Sequence, residues 1–178
     1  QTKAMDAKEI KNQLDQLESE NSYDVFNGMI KKFVMANQKR YDYISKEAME
    51  YIRSMSENVD ATEMFVSFSG GKDSTVVSDL VMRALGSQQI LHLYGDTTLE
   101  FPESAEYVKR FKKEHPKTLV VTSKNKDKNF DELCEQLGPP SRVMRWCCTI
   151  FKTGAIQRKI QTLFKNKKRI LTFYGIRR

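Results

Sequence analysis

From Met64 onward the chain alternates short β-rich runs with amphipathic stretches of helical period, and nothing else in it constrains the fold as strongly. Met64-Phe65-Val66-Ser67-Phe68 reads as a strand and Ser69-Gly70-Gly71 as a break. A helix is expected from about Asp73 towards Gly86, with Val76, Val77, Leu80, Val81, Ala84 and Leu85 turned inward. Residues 90–94 form a second strand, ended by Gly95-Asp96-Thr97. Pro102 then opens a helix that buries Ala105, Val108 and Phe111 and stops before Pro116. Residues 118–122 make a third strand, and Phe130, Leu133, Cys134 and Leu137 mark a short helix before the Gly138-Pro139-Pro140 loop. A helix over about 149–164 and a strand over 169–174 complete the pattern. Such units predict an α/β fold, a doubly wound parallel sheet with helices on both faces. Right-handed crossovers put every strand-to-helix loop on one sheet edge, so the segments after Phe68, Tyr94 and Tyr174 converge on one ligand.

The first sixty residues contain no proline and one glycine and read as a helical extension, with a nucleotide-binding domain over 61–178. Ile10, Leu14 and Leu17 recur at helical spacing. So do Val25, Phe26, Met29, Ile30, Phe33 and Val34, and then Tyr41, Ile44, Ala48, Tyr51, Ile52 and Met55. Charged residues between them predict helices that pack by one face. No catalytic constellation stands here, and support of the following domain outweighs a partner-binding module.

Ser69-Gly70-Gly71-Lys72-Asp73-Ser74 carries the chemistry. The glycines let the backbone turn and approach a ligand closely. The first turn of the next helix has amides without helical partners, and the dipole adds positive charge, which makes an anion site. Lys72 contributes a full charge and Ser69 and Ser74 hydroxyls, while Asp73 either caps the helix or holds magnesium beside phosphates. This is no Walker A loop, which needs four residues between its glycines. The hexamer resembles the PP-loop of the ATP-pyrophosphatase superfamily, Ser-Gly-Gly-x-Asp-Ser. That resemblance implies an adenine-nucleotide α-hydrolase-like fold holding an adenosine phosphate or phosphosulfate.

Three later segments narrow the family. The stretch from Tyr94 to Glu103 looks like the Asp-Thr-x-x-x-Phe-Pro-Glu element of phosphoadenylyl-sulfate (PAPS) reductases, which places Asp96 and Thr97 beside the nucleoside. By itself it reads equally well as a turn into a proline-started helix. Arg145-Trp146-Cys147-Cys148-Thr149-Ile150-Phe151-Lys152 resembles the Cys-Cys-x-x-x-Lys element of PAPS and adenylyl-sulfate (APS) reductases. Family members with a [4Fe–4S] cluster join this pair to a distant Cys-x-x-Cys, which this sequence lacks. Cys147 and Cys148 are therefore iron–sulfur ligands only in a longer chain, and otherwise small thiols at a helix start. Cys134, on an apolar stripe, reads as core. Gly175-Ile176-Arg177-Arg178 looks like the family's Gly-x-Arg-Arg, so Arg177, Arg178 and Lys152 are expected to neutralise the anion. The stop inside that motif suggests a fragment.

The resemblance implies a sulfonucleotide-binding domain of an oxidoreductase of sulfate assimilation, with PAPS, APS or ATP as ligand and thioredoxin or glutaredoxin as partner. In that family a cysteine in a carboxyl-terminal tail attacks the sulfur; no such tail follows here, so binding without completed turnover is expected. The alternative is a PP-loop enzyme that adenylates or thiolates a nucleic acid. Thirty Lys and Arg against 23 Asp and Glu give a formal charge of +7, which favours anionic partners of either kind. Short basic runs at 124–128 and 165–169 read as solvated surface rather than a duplex-reading stripe. His92 and His115 lack spaced partners, which argues against a histidine metal site. Three cysteines and no apolar run near 20 residues predict a reducing, cytoplasmic setting and no membrane partner.

Overall fold

The computed structural model describes residues 22–176, so the stripe at Ile10, Leu14 and Leu17 and the arginines at 177 and 178 lie outside the described residues. The chain divides into two compact units, Gln1–Lys46 and Glu47–Arg178. Helix α1 runs over Ser22–Ser56. The two stripes expected at 25–34 and 41–55 thus form one continuous helix. Gly28 is the only glycine in it, and a single helical glycine costs about 1 kcal/mol, too little to end a helix this long. Val25, Phe26, Met29, Ile30, Phe33 and Val34 are exposed rather than packed as expected, because an established helix needs only propagation to continue.

In the second unit a 3₁₀ turn, Ala61–Glu63, is capped by Asp60, whose carboxylate accepts from the Thr62 amide. It leads into β1 (Met64–Phe68), α2 (Lys72–Leu85), β2 (Leu91–Asp96), α3 (Pro102–Glu114) and β3 (Val120–Lys124). After these come α4 (Phe130–Leu137), a π-helical segment (Cys148–Gly154), α5 (Ala155–Leu163) and β4 (Leu171–Phe173). The strands form one parallel sheet in the order β3-β2-β1-β4. Phe68 pairs with Tyr94, and Val66 pairs with Phe173.

Alternation along β1 sorts the core into two layers. Val66 packs with Val81, Ala84, Ile90, Phe173 and Ile52 of α1, and Phe68 with Tyr94, Val108 and Phe111. On the opposite face Phe65 and Leu93 meet Phe164, Ile156 and Ile160. Helices therefore cover both faces, as expected. Val66 and Val81 are fully buried, and each such side chain contributes about 1.5–3 kcal/mol.

Beneath this core His92 is also fully buried. Its Nδ1–H donates to the Ile90 carbonyl, so Nε2 accepts from the Ser78 hydroxyl at 2.7 Å and ties β2 to α2. Burial holds its pKa below the usual histidine value, partly opposed by the Ile90 bond.

Several expectations need correction. Val76, expected inside, is exposed, because the buried face of α2 runs through Ser74, Ser78, Val81 and Ala84 and Val76 lies off it. Leu137 is likewise exposed at the end of α4. The helix expected over 149–164 is π-helical to Gly154 before α5 begins. A Cβ on Gly154 would stand 2.6 Å from the Thr149 carbonyl oxygen, so glycine lets the wider turn close. Cys134 packs beside Leu133, Trp146 and Phe151, in agreement with its reading as core.

Candidate functional site

The loop after β1 is three residues long and held from several sides. Gly70 has φ +74°, in the left-handed region, and a Cβ there would lie 2.7 Å from Val108 Cγ2. Backbone conformation and the packing of α3 therefore both demand glycine. The buried Ser74 hydroxyl closes the loop: it donates to the Gly71 carbonyl at 2.9 Å and accepts from the Ser69 amide and hydroxyl, each at 3.2 Å. The Gly71 amide points back to Ser69 Oγ. The Thr75 amide makes the first helical bond, to Gly71, and Thr75 Oγ1 meets the Tyr107 hydroxyl at 3.0 Å.

Gly71 is the N-cap of α2, with no side-chain capping bond. The capping role considered for Asp73 is thus taken by the glycine, and Asp73 sits in the first turn, where a carboxylate complements the dipole. The Thr75 amide is the first helical donor, and the first turn of a helix generally leaves the preceding amides without helical acceptors. Lys72 and Asp73 are exposed beside them. The arrangement can take an oxyanion on backbone donors, with one lysine adding charge.

The chain leaving β4 returns to the same place. A Cβ on Gly175 would come within 3.3 Å of the Asp73 carbonyl oxygen and 3.2 Å of Val77 Cγ2. Gly175 thus lets the segment ahead of Arg177 run against the first turn of α2, a contact readable in sequence only through the Gly-x-Arg-Arg likeness.

Asp96 and Thr97 end the neighbouring strand and are occupied locally. Asp96 Oδ1 accepts from the Thr98 amide at 2.9 Å, and Oδ2 lies 3.7 Å from Lys124 Nζ. The Thr97 hydroxyl donates to Glu100. Thr98 has φ +66°, uncommon for a branched residue. Asp96 also opens onto a cleft of about 310 Å³ shared with Tyr94, Glu100, Lys109 and Lys112. The Tyr94 hydroxyl is pushed up by burial and by the carboxylates of Glu100 and Asp96.

Cys147 is half-buried against Leu133, Trp146 and Phe151, whereas Cys148 is exposed. Burial, with Asp131 and Cys147 nearby, pushes the Cys134 thiol up. Lys152 is exposed on the π-helical segment, which packs against β2. Three thiols cannot supply the four thiolates of a [4Fe–4S] cluster, and among the described residues no trio of His, Cys, Asp or Glu converges as metal ligands. These residues alone therefore do not fit such a cluster. Among the described residues no helix is long and apolar enough to cross a membrane.

Comparisons with known proteins bear on the family and the fold. The family model described as "Phosphoadenosine phosphosulfate reductase domain" matches residues 63–178. Two uncharacterized proteins of Methanocaldococcus jannaschii, MJ0973 and MJ0066, are each 31% identical, over 84% and 88% of this chain. The chain spans about a third of their length, 34% and 31% respectively. The crystal structure of phosphoadenylyl-sulfate (PAPS) reductase from Candida auris, a phosphate complex, superposes with a TM-score of 0.55 at 15% identity. That match covers 79% of this chain and 68% of the other and shows a shared fold.

Proposed function

Because the chain belongs to the phosphoadenosine phosphosulfate reductase domain family, we propose that it is the nucleotide-binding part of a PAPS/APS reductase-like oxidoreductase. The phosphate or phosphosulfate rests on the 69–74 loop, held by backbone amides of the first turn of α2 and by the Lys72 ammonium. Ser69 and Ser74 act chiefly by keeping the loop closed, since their hydroxyls bond to one another and to Gly71. Asp96 and Thr97 stand nearer the nucleoside. Lys152, Arg177 and Arg178 supply the remaining positive charge, and magnesium, where present, sits by Asp73. The single observation that carries this reading is the loop itself, with a left-handed glycine pinned under α3 and a helix N-terminus directly after it.

Reduction to sulfite is a property proposed for the longer protein, with thioredoxin or glutaredoxin regenerating its thiol. For this chain the decisive experiment is calorimetric titration with APS, PAPS and ATP in parallel. One sulfonucleotide should bind about tenfold or more tightly than ATP, a difference of about 1.4 kcal/mol. Tight ATP binding with neither sulfonucleotide bound overturns the proposal. Pyrophosphate release that requires added RNA or DNA replaces it with the nucleic-acid-modifying alternative.

A further inference from the structure

One buried side-chain oxygen among the described residues has no hydrogen-bond partner, the hydroxyl of Ser123. Leaving such a group unsatisfied costs about 1–3 kcal/mol, so its surroundings bear on what it is for. Ser123 lies near the end of β3, opposite Gly95 in the register, and is 2% exposed. Val121, two residues earlier, packs with Ile156 and Ile160 of α5, so Ser123 faces the same helix. Ile156 of α5 fills the space beside Gly95, and the small Ala155 borders Ser123. A cleft of about 390 Å³ opens there, lined by Thr122 and Ser123 of β3 and by Ala155, Arg158 and Thr162.

Its lining is strongly cationic. Lys124, Lys126, Arg158 and Lys159 border it with Asp127 as the one carboxylate, and Asp96 outside it draws on Lys124 alone. Arg158 is held in place: its Nη2 donates at 3.0 Å to Oδ1 of Asn125, a residue 6% exposed whose Nδ2 donates to the Lys128 carbonyl. Asn125 thus sets the guanidinium and the 125–128 turn together. The remaining guanidinium donors and the ammonium groups of Lys126 and Lys159 form no ion pair among the described residues. A cleft bordered by a serine with an unpartnered hydroxyl and by a positioned arginine flanked by lysines offers the donors that a tetrahedral oxyanion accepts.

We propose that this cleft between β3 and α5 is a second phosphate-type anion site, separate from the 69–74 loop. The strand β2 stands between them, so the sites are displaced along the sheet edge by two strand spacings, about 10 Å. The short basic run at 124–128, read from sequence as solvated surface, would then be a built element of it. The ligand chemistry is that of free phosphate and equally of a phosphate group on a larger ligand.

Amide shifts on titration with inorganic phosphate distinguish the two sites residue by residue. Two groups of amides should respond, at 70–74 and at 122–127 with 155–162, with separate affinities. Arg158→Gln and Ser123→Ala should each weaken the second response by about tenfold and leave the first unchanged. Ser123→Ala should also raise the melting temperature, because it removes an unsatisfied buried hydroxyl, and this shows that its loss of binding is not unfolding. Adenosine 3′,5′-bisphosphate separates the sources. Shifts at both groups along one isotherm identify a phosphate of the same ligand, and a response at the second group to free phosphate alone identifies the free anion; either supports the site. Absent shifts at 122–127, or shifts that persist in both variants, overturn it. Failure at 70–74 with the second group responding would count against the nucleotide reading and leave this inference standing.

Discussion

Two loops leave adjacent strands at the same sheet edge and are built on opposite plans. The loop after β1 is three residues long, locked by Gly70 under Val108 and by the Ser74 hydroxyl, and its side-chain hydrogen bonds close the turn at the N-terminus of α2. The segment after β2 spends its polar groups on itself: Asp96 on the Thr98 amide, Thr97 on Glu100, with Thr98 bent into the left-handed region. The first is rigid before any ligand arrives. Under the proposed function the second must release local bonds before its carboxylate and hydroxyl reach a nucleoside, so binding energy would enter mainly through the first loop.

The comparison breaks most sharply at Gly70. Gly70→Ala adds a left-handed penalty and a clash with Val108, together about 2–4 kcal/mol, read as a lowered urea midpoint with nucleotide binding abolished. Val108→Ala in the same chain should restore part of the midpoint; no recovery would mean that the contact under α3 is not what locks the turn. Ser74→Ala leaves the Ser69 amide without its acceptor and should cost about 1–3 kcal/mol, with affinity for the tightest nucleotide down about tenfold. A Ser74→Ala chain that binds normally would show that the loop closes without its brace.

His92 tests the layer joining the strand of one loop to the helix of the other. Its folded pKa lies below its unfolded value near 6.5, so the unfolded chain binds more protons as pH falls. Stability should be full above about pH 6.5 and decline as pH drops towards the folded value. His92→Gln should flatten that acid limb in melts between pH 7 and 5, and an unchanged slope would place the acid sensitivity elsewhere. Smallest is Thr98→Gly, which removes the left-handed penalty and should raise stability by about 1 kcal/mol or less, net of the entropy that glycine adds to the unfolded chain. A loss of stability would show that Thr98 is held by more than its backbone.

Most elements were legible in the sequence. The strand over Met64–Phe68 and the helices over Pro102–Glu114 and Phe130–Leu137 follow from alternation, from proline at the first helical position and from apolar period. Their ends were less so. The second strand runs on through Gly95 and Asp96, and the third lies two residues later than expected, because pairing of Gly95 with Ser123 and Asp96 with Lys124 overrides local propensity. The 69–74 loop was visible as a motif, but Val108 and Tyr107 beneath it were not, since they come from a helix some thirty residues away. Nor was the Ser123–Arg158 cleft, whose members are separated in the chain and share no motif.

Order of elements, parallel class and the 69–74 loop motif were determined by sequence alone, because each depends on period and spacing among near neighbours. The tertiary structure decided which glycines are obligatory, which serine is a brace and which is left unsatisfied, and that Gly175 meets Asp73. Those outcomes rest on contacts between segments far apart in the chain, where a few tenths of an ångström separate a fit from a clash and no local pattern records the distance.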